Sequence, residues 1–383
     1  MLAPLKKISL VFSGGGTGGH FFPAVAIADR IRELAGENCL VKIEFVGTTR
    51  GIEYRLRESL GYPLRLVNIR GLVRSFTLKN ILVPFLMITA LLKSRAILKA
   101  ASPDVVVGTG GYVSWPVLRM AALMGLPTVL QEQNSFPGIT TRQLATKATR
   151  LYLGFGSALS RLPSDLPALT TGNPVRLSVI GGDRTEAMTH FKLDPKQRTI
   201  LVIGGSQGAR SINQAVLRSL KAGSLPDGYQ LLWQTGKLDY DDIRSELGDQ
   251  AKRHALVPFE SRMELIYAAA DLAIARAGAI TLAELEAVAL PSLLIPFPFA
   301  AGDHQRHNAA ACVARGYVES IDPDDLDQTD LLAYAVGMID SGRVERLKQN
   351  IRQKTAGRKP AVDVIAEDIL SIIRKAQETT VDR

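Results

Sequence analysis

At 383 residues the chain exceeds what one hydrophobic core usually serves, so two domains of ordinary size are expected. Hydrophobic residues at 46% and charged residues at 22% exclude a largely disordered chain. The net charge of +9 calls for anionic partners without choosing among nucleic acid, acidic lipid and phosphate-bearing substrates. Two cysteines, Cys39 and Cys312, without a CxxC pairing argue against a disulfide framework or structural zinc and for a reducing compartment.

Residues 8–12 are apolar, too few for a signal-peptide core and without a cleavage site, so they read as a first strand. GGGTGGH (14–20) follows at once, and a helical pattern runs over 23–34. VKIEFVG is the next strand-like run. Residues 65–99 interleave Arg65, Arg70, Arg74, Lys79, Lys93, Arg95 and Lys99 with apolar side chains such as Leu72, Phe76 and Phe85. Such a mixture suits a surface dipping into anionic lipid. An amphipathic core helix with a solvated basic face is the alternative. Phe76 and Phe85 are the only aromatics in this stretch, too few for a base-stacking platform, which speaks against single-stranded nucleic acid. The greasiest run, 81–92, falls short of a bilayer at about 1.5 Å per residue against roughly 30 Å.

DVVVGTGG and PTVLQEQN continue the alternation of strand-like runs and helical patterns. TTGNPVR (170–176) interrupts regular structure and marks the expected boundary, giving domains 1–172 and 173–383, with the last helix packing back on the first domain. From Thr199 the opening repeats: TILVI, then GGSQGA (204–209), then a helix over about 211–220. LLWQTGK, DLAIARAG and PSLLIPFP complete the series. The fold class is therefore α/β, with two Rossmann-like domains of parallel strands facing an interdomain cleft, the natural ligand site.

Gly14, Gly16 and Gly19 form a GxGxxG between strand and helix, where an anion can approach a helix N-terminus. The acid that would bind a dinucleotide ribose is missing, since the second strand ends in FVGTTRG. GGSQGA offers a second helix N-terminus with Ser206 and no Walker lysine; close strand-to-helix packing is the plainer use of either loop. Thr281 and Glu284 match a capping box at a helix starting near Ile280, yet Glu284 could equally accept ribose hydroxyls. AAGDHQRHNA concentrates Asp303, His304, Gln305, His307 and Asn308, side chains suited to sugar hydroxyls; His304 and His307 lack a third nearby metal ligand. QEQNSFPG puts Glu132 and Asn134 at a strand end, where α/β folds bind ligands, though an Asx turn before Pro137 explains it too. Asp322-Pro-Asp324 mimics a metal-binding DxD, but acids at a helix start need no metal. No metal and no cofactor are expected.

GGGTGGH, GGYVSWP, QEQNSFPG, GNPVR, GGSQGAR, AGAITLAE and AAGDHQRHNA, in this order over residues 8–315, resemble the motif series of the MurG family (glycosyltransferase family 28). Those enzymes transfer GlcNAc from UDP-GlcNAc to undecaprenyl-pyrophosphoryl-MurNAc-pentapeptide (lipid I). The resemblance implies a GT-B fold, an inverting hexosyltransferase reaction without an obligatory metal, and donor binding mainly by the second domain. It implies that Thr17, Gly18 and Gly19 line the phosphate side of the cleft, that Asn134 contacts the donor sugar, and that Arg176 and Ser206 steady nucleotide and phosphate. It further places the backbone at Phe259 and Glu260 against uracil, although many relatives carry an aliphatic residue where Glu260 stands. Ala279, Ile280 and Thr281 would lie close to the donor, Glu284 on the ribose and Gln305 on GlcNAc hydroxyls. The family's membrane patch falls on residues 72–92. The implied location is peripheral, on the cytoplasmic face of the cell membrane. UDP-GlcNAc, lipid I and the anionic inner-membrane surface are the expected partners, with other cell-wall synthesis proteins as further candidates and no nucleic acid.

An inverting transfer needs a base for the acceptor 4-hydroxyl, and His20, ending the first loop, is the candidate. Binding the acceptor pyrophosphate is its alternative role. Developing charge on UDP would be met by the GGSQGA helix N-terminus and Arg176. Competing readings are a GT-B transferase acting on diacylglycerol, an NAD-dependent oxidoreductase and a non-catalytic nucleotide-sugar sensor.

Overall fold

The structure, a computed structural model, describes residues 5, 7–70, 83–205 and 208–381. The chain forms two compact units, Met1–Arg176 with Lys359–Arg383, and Leu177–Arg358. The expected boundary after residue 172 is thus displaced to Arg176, and the chain returns to the first unit at Lys359.

The first unit is built on β1 (Lys7–Ser13), β2 (Leu40–Gly47), β3 (Leu64–Leu66), β4 (Val105–Gly108), β5 (Thr128–Glu132), β6 (Arg150–Leu153) and β7 (Ala168–Thr170). They make one parallel sheet in the order β3-β2-β1-β4-β5-β6-β7. Side chains alternate across β1: Ile8, Leu10 and Phe12 enter one core and Val11 the other. Both faces therefore need cover, which is why the strands read as unbroken apolar runs. Helix Gly18–Ala35 covers the first face through Phe21, Ala24, Ile27 and Ile31. It begins five residues before the expected start. Pro23 lies inside it rather than opening it, and the missing proline N–H leaves the Gly19 carbonyl without its i+4 partner.

Helix Ala361–Val381 covers the rest of that face with a stripe of Ile365, Ile369 and Ile373, each wholly buried beside Ile8, Leu10 and Val105. Polar groups fix its register: Arg30 meets Asp363 at 2.6 Å, and the Tyr152 hydroxyl donates to Asp368 at 2.8 Å. The opposite face is covered by helices Val83–Ala101 and Ser114–Leu123 through Ala90, Leu98, Val117 and Leu118.

The second unit holds β8 (Arg198–Ile203), β9 (Tyr229–Gln234), β10 (Ala255–Val257), β11 (Leu272–Ala275), β12 (Ser292–Leu294) and β13 (Val318–Ser320). Their order is β10-β9-β8-β11-β12-β13, again all parallel. Helix Arg210–Lys221 packs on it, with Asn213 accepting from the buried Trp233 indole at 3.0 Å. In each sheet the strand order reverses beside the first strand, at β1/β4 and at β8/β11. Ligands of open α/β sheets bind at the carboxyl end of such a switch point.

Ile369→Ala should destabilise the first unit by about 2–5 kcal/mol. Hydrogen exchange in denaturant should show β1 and β4 amides opening earlier while those of β8 and β11 stay unchanged.

Candidate functional site

In the first unit the glycine loop leaves β1 under steric compulsion. A Cβ on Gly14 would lie 1.7 Å from the Thr109 hydroxyl, and Gly16 has φ +85°. The Gly16 N–H donates at 2.8 Å to Glu53, a carboxylate 1% exposed that also accepts the Thr48 N–H at 2.9 Å. Glu53 therefore occupies an amide that a dinucleotide pyrophosphate would use, and it faces the loop rather than a ribose. Thr17 is the N-cap of the helix but makes no side-chain cap bond, and Thr17 and Gly19 are exposed. Thr17, Gly18 and Gly19 thus stand together at the helix start, beside β1.

His20 lies one turn in and is half-buried. Its Nδ1 is 3.0 Å from the Thr109 carbonyl and 2.9 Å from Oε1 of Gln133. The Gln133 amide nitrogen donates to the Thr109 carbonyl at 2.7 Å and to the Gln131 carbonyl at 3.1 Å, which turns its oxygen toward the ring. Facing two acceptors, Nδ1 carries the proton of the neutral imidazole, so Nε2 holds the lone pair. Gly110 and Gly111, at φ +94° and +79°, let the loop after β4 close on this ring; a Cβ on Gly110 would lie 2.8 Å from Nδ1.

Asn134 sits on the neighbouring loop after β5, half-buried, its N–H donating at 3.0 Å to the buried Glu132. Arg176, the last residue of the first unit's leading segment, places its guanidinium 5.0 Å over the Phe22 ring, beside the same helix start.

In the second unit β8 runs into Gly204 and Gly205, and Gly208 packs so tightly that a Cβ would lie 2.3 Å from the Thr235 carbonyl. Ser206 lies outside the described residues. Helix Arg210–Lys221 starts here with Ala209 at its N-cap. Beyond β11, Arg276 donates to Ser211 Oγ on that helix at 2.6 Å and to the Ile295 and Pro296 carbonyls at 3.1 and 3.0 Å. No Asp or Glu pairs with it among the described residues, and desolvation pulls its guanidinium down to about 10. A cation held by neutral oxygens beside a glycine loop is a receptor for an anion.

The next predicted residues lie on the segments that follow β11 and β12. Ala279, Ile280 and Thr281 form the first turn of helix Ala279–Ala287. Its N-cap is Gly278 with no side-chain cap, so the expected capping box does not form: Thr281 already lies inside the helix. Glu284 accepts instead from the Tyr267 hydroxyl at 2.7 Å. Gln305 accepts the Phe297 N–H at 2.9 Å, and Asn308, wholly buried, donates to the Ala277 carbonyl at 3.2 Å. Glu260 stands apart from this group. Its N–H donates to the Gln234 side chain at 2.9 Å. Burial opposes its charge, but the Arg262 amide, the His190 ring and the Ser261 amide together hold its carboxyl below the usual range.

Arg306 grips Asp322 at 2.9 Å and Asp324 at 3.1 Å, and Asp322 caps the Asp324 N–H. His304 spends its Nδ1 on the Ala301 carbonyl at 2.9 Å. Of the membrane patch, 72–82 lie outside the described residues. Its continuation exposes Phe85, Ile88 and Leu92 on one helix face, with Lys93, Arg95 and Lys99 exposed on the same helix. Glu53, Gln133 and Arg276 were not foreseen. An arginine closing the apolar strand of DLAIARAG, just before a glycine-led helix, was the legible signal for the last.

Two parallel α/β units, each with a glycine loop at its switch point, define the GT-B class of glycosyltransferase fold. A crystal structure of MurG from Acinetobacter baumannii superposes with a TM-score of 0.70 at 24% identity, covering 97% of this chain and 99% of that one. The chain belongs to glycosyltransferase family 28, residues 10–153 matching its N-terminal domain and 199–365 its C-terminal domain. Relatives named UDP-N-acetylglucosamine–N-acetylmuramyl-(pentapeptide) pyrophosphoryl-undecaprenol N-acetylglucosamine transferase include that of Flavobacterium psychrophilum, 39% identical over 91% of this chain and 94% of its own. That of Prosthecochloris aestuarii is 42% identical over 86% and 90%.

Glu53→Ala leaves the Gly16 and Thr48 amides unpaired in a buried site and should cost about 2–4 kcal/mol in chemical denaturation. An unchanged midpoint would show that solvent reaches the loop and replaces the carboxylate.

Proposed function

We propose that this chain transfers GlcNAc from UDP-GlcNAc to the 4-hydroxyl of MurNAc in undecaprenyl-pyrophosphoryl-MurNAc-pentapeptide, inverting the anomeric carbon and releasing UDP, in peptidoglycan synthesis. The observation that carries this reading is the 39–42% identity to relatives of that name, which runs through both units. The first unit holds the acceptor and the second the donor.

As the acceptor oxygen attacks the anomeric carbon, His20 takes its proton at Nε2 while Nδ1–H stays on Thr109 and Gln133. The bond from that carbon to the donor phosphate oxygen breaks on the opposite face, and UDP leaves with the electron pair. Its charge is met by Arg276 and the N-terminus of helix Arg210–Lys221. Glu284 and Gln305 hold ribose and GlcNAc hydroxyls, with Ala279, Ile280 and Thr281 alongside. Asn134 contacts the donor sugar. Thr17, Gly18 and Gly19 hold the acceptor side, and Arg176 and Ser206 assist the phosphates. Uracil contact at Glu260 would use the carbonyl, or displace Gln234 from the N–H.

No helix among the described residues is long and apolar enough to cross a membrane. Phe85, Ile88 and Leu92 with their neighbouring cations would seat the protein on anionic lipid at the cytoplasmic face, where the lipid-linked acceptor is presented.

With EDTA present throughout, UDP release should require a soluble lipid-pyrophosphoryl-MurNAc-pentapeptide analogue, and His20→Gln should lower turnover at saturating acceptor by about 10²–10⁴-fold. Near-normal turnover of that variant would remove the base assignment, and release dependent on diacylglycerol would replace the acceptor. Arg276→Gln should weaken UDP binding in calorimetry by roughly 10–100-fold, beyond any loss of thermal midpoint that follows from its bonds to Ser211, Ile295 and Pro296. A lowered midpoint with unchanged UDP affinity would make Arg276 a structural residue.

A further inference from the structure

Two guanidinium groups of the first unit share one aromatic ring. Arg161 lies 4.7 Å and Arg142 5.6 Å from the centroid of Phe136, so the charges stand no more than about 10 Å apart. Both side chains are exposed, and among the described residues no Asp or Glu approaches either within 4.0 Å. Their placement is built rather than incidental. Glu132, 3% exposed, accepts the Gly138 N–H at 2.9 Å and the Thr141 hydroxyl at 2.5 Å. It thereby fixes the loop carrying Phe136 and the helix Ile139–Leu144 carrying Arg142. Arg161 ends the short helix Gly156–Arg161 that follows β6. Both cations thus lie at the carboxyl edge of the first sheet, and Phe136 is three residues along the loop from Gln133, which orients His20.

We infer that Arg142 and Arg161, presented on Phe136, bind a free carboxylate of the acceptor's peptide. This rests on the acceptor assigned above. The muramyl peptide hangs from the oxygen next to the reacting 4-hydroxyl, whereas the pyrophosphate leaves from the anomeric carbon across the ring. With the hydroxyl at His20 and the pyrophosphate at Thr17, Gly18 and Gly19 as proposed above, the acceptor anion left for the β5 loop is the peptide's. A peptide attached through its amino end keeps its terminal carboxylate free. Planar guanidinium forks match a carboxylate two hydrogen bonds at a time, and stacking on an aromatic face holds the forks ready. Two like charges left together without a counter-ion are relieved when that carboxylate arrives.

The test uses the full chain in solution without bilayers and three short-chain acceptor analogues: pentapeptide, pentapeptide amidated at its carboxylates, and muramyl without peptide. R142Q/R161Q should lower kcat/KM for the pentapeptide acceptor about 10-fold or more, mainly through KM. It should leave the amidated and peptide-free acceptors at wild-type values. Wild type should itself lose a similar factor on amidation. Equal losses on all three acceptors, or no loss on any, would overturn the inference. Wild type transferring to none of them would overturn the parent assignment and this one with it.

Discussion

A parallel sheet buried on both faces has nowhere to do chemistry except along the edge where its strands end. Apolar side chains on alternate sides of β1 demand helices above and below, and that demand sends every connection over one rim or the other. Only at the carboxyl rim do glycine loops, helix N-termini and unsatisfied amides converge. His20 and Arg276 are set by this constraint. Each lies just past the strand pair where the order reverses, and each is held by atoms from the facing loop.

The two glycine loops look alike in sequence and differ in electrostatics. The first is already neutralised, because Glu53 sits on the Gly16 amide; what remains for a substrate is the helix start beside it and the lone pair of His20. The second is left positive, with an arginine desolvated against neutral oxygens. On the function proposed above, an anion-rich donor suits the second, and a neutral hydroxyl that must give up a proton suits the first. The electrostatic contrast between the two loops comes from one buried carboxylate and from one guanidinium that, among the described residues, is held by neutral oxygens alone.

The long central strands were plain in the sequence, since VKIEFVG or DLAIARAG could be little else. Of the three-residue strands, β12 was legible inside the longer apolar run PSLLIPFP, whereas β3, β7, β10 and β13 were not, because so short a run carries no period, and β6 was hidden by Arg150 at its start. Helix starts misled where a local rule was strong: Pro23 and the Thr281–Glu284 pair each match a start signal, yet each lies inside a helix opened by a glycine. Glu53, Gln133 and Arg276 were invisible because their partners come from remote segments: Gln133 meets His20 across 113 residues, and Arg276 meets Ser211 across 65. Motif order marked Thr17–Gly19, Ala279–Thr281 and Gln305; the proton on Nδ1 of His20 needed coordinates.

The final helix has a bearing on how the protein is born. Its isoleucine stripe closes the core that β1 opens, but residues 177–358 emerge from the ribosome between them. At typical synthesis rates that interval lasts about 10–40 s, during which part of one face of the nascent sheet lacks its cover. The C-terminal unit can finish first, although it is translated later. The amino-terminal sheet is the part of the nascent chain with most need of a chaperone's shelter.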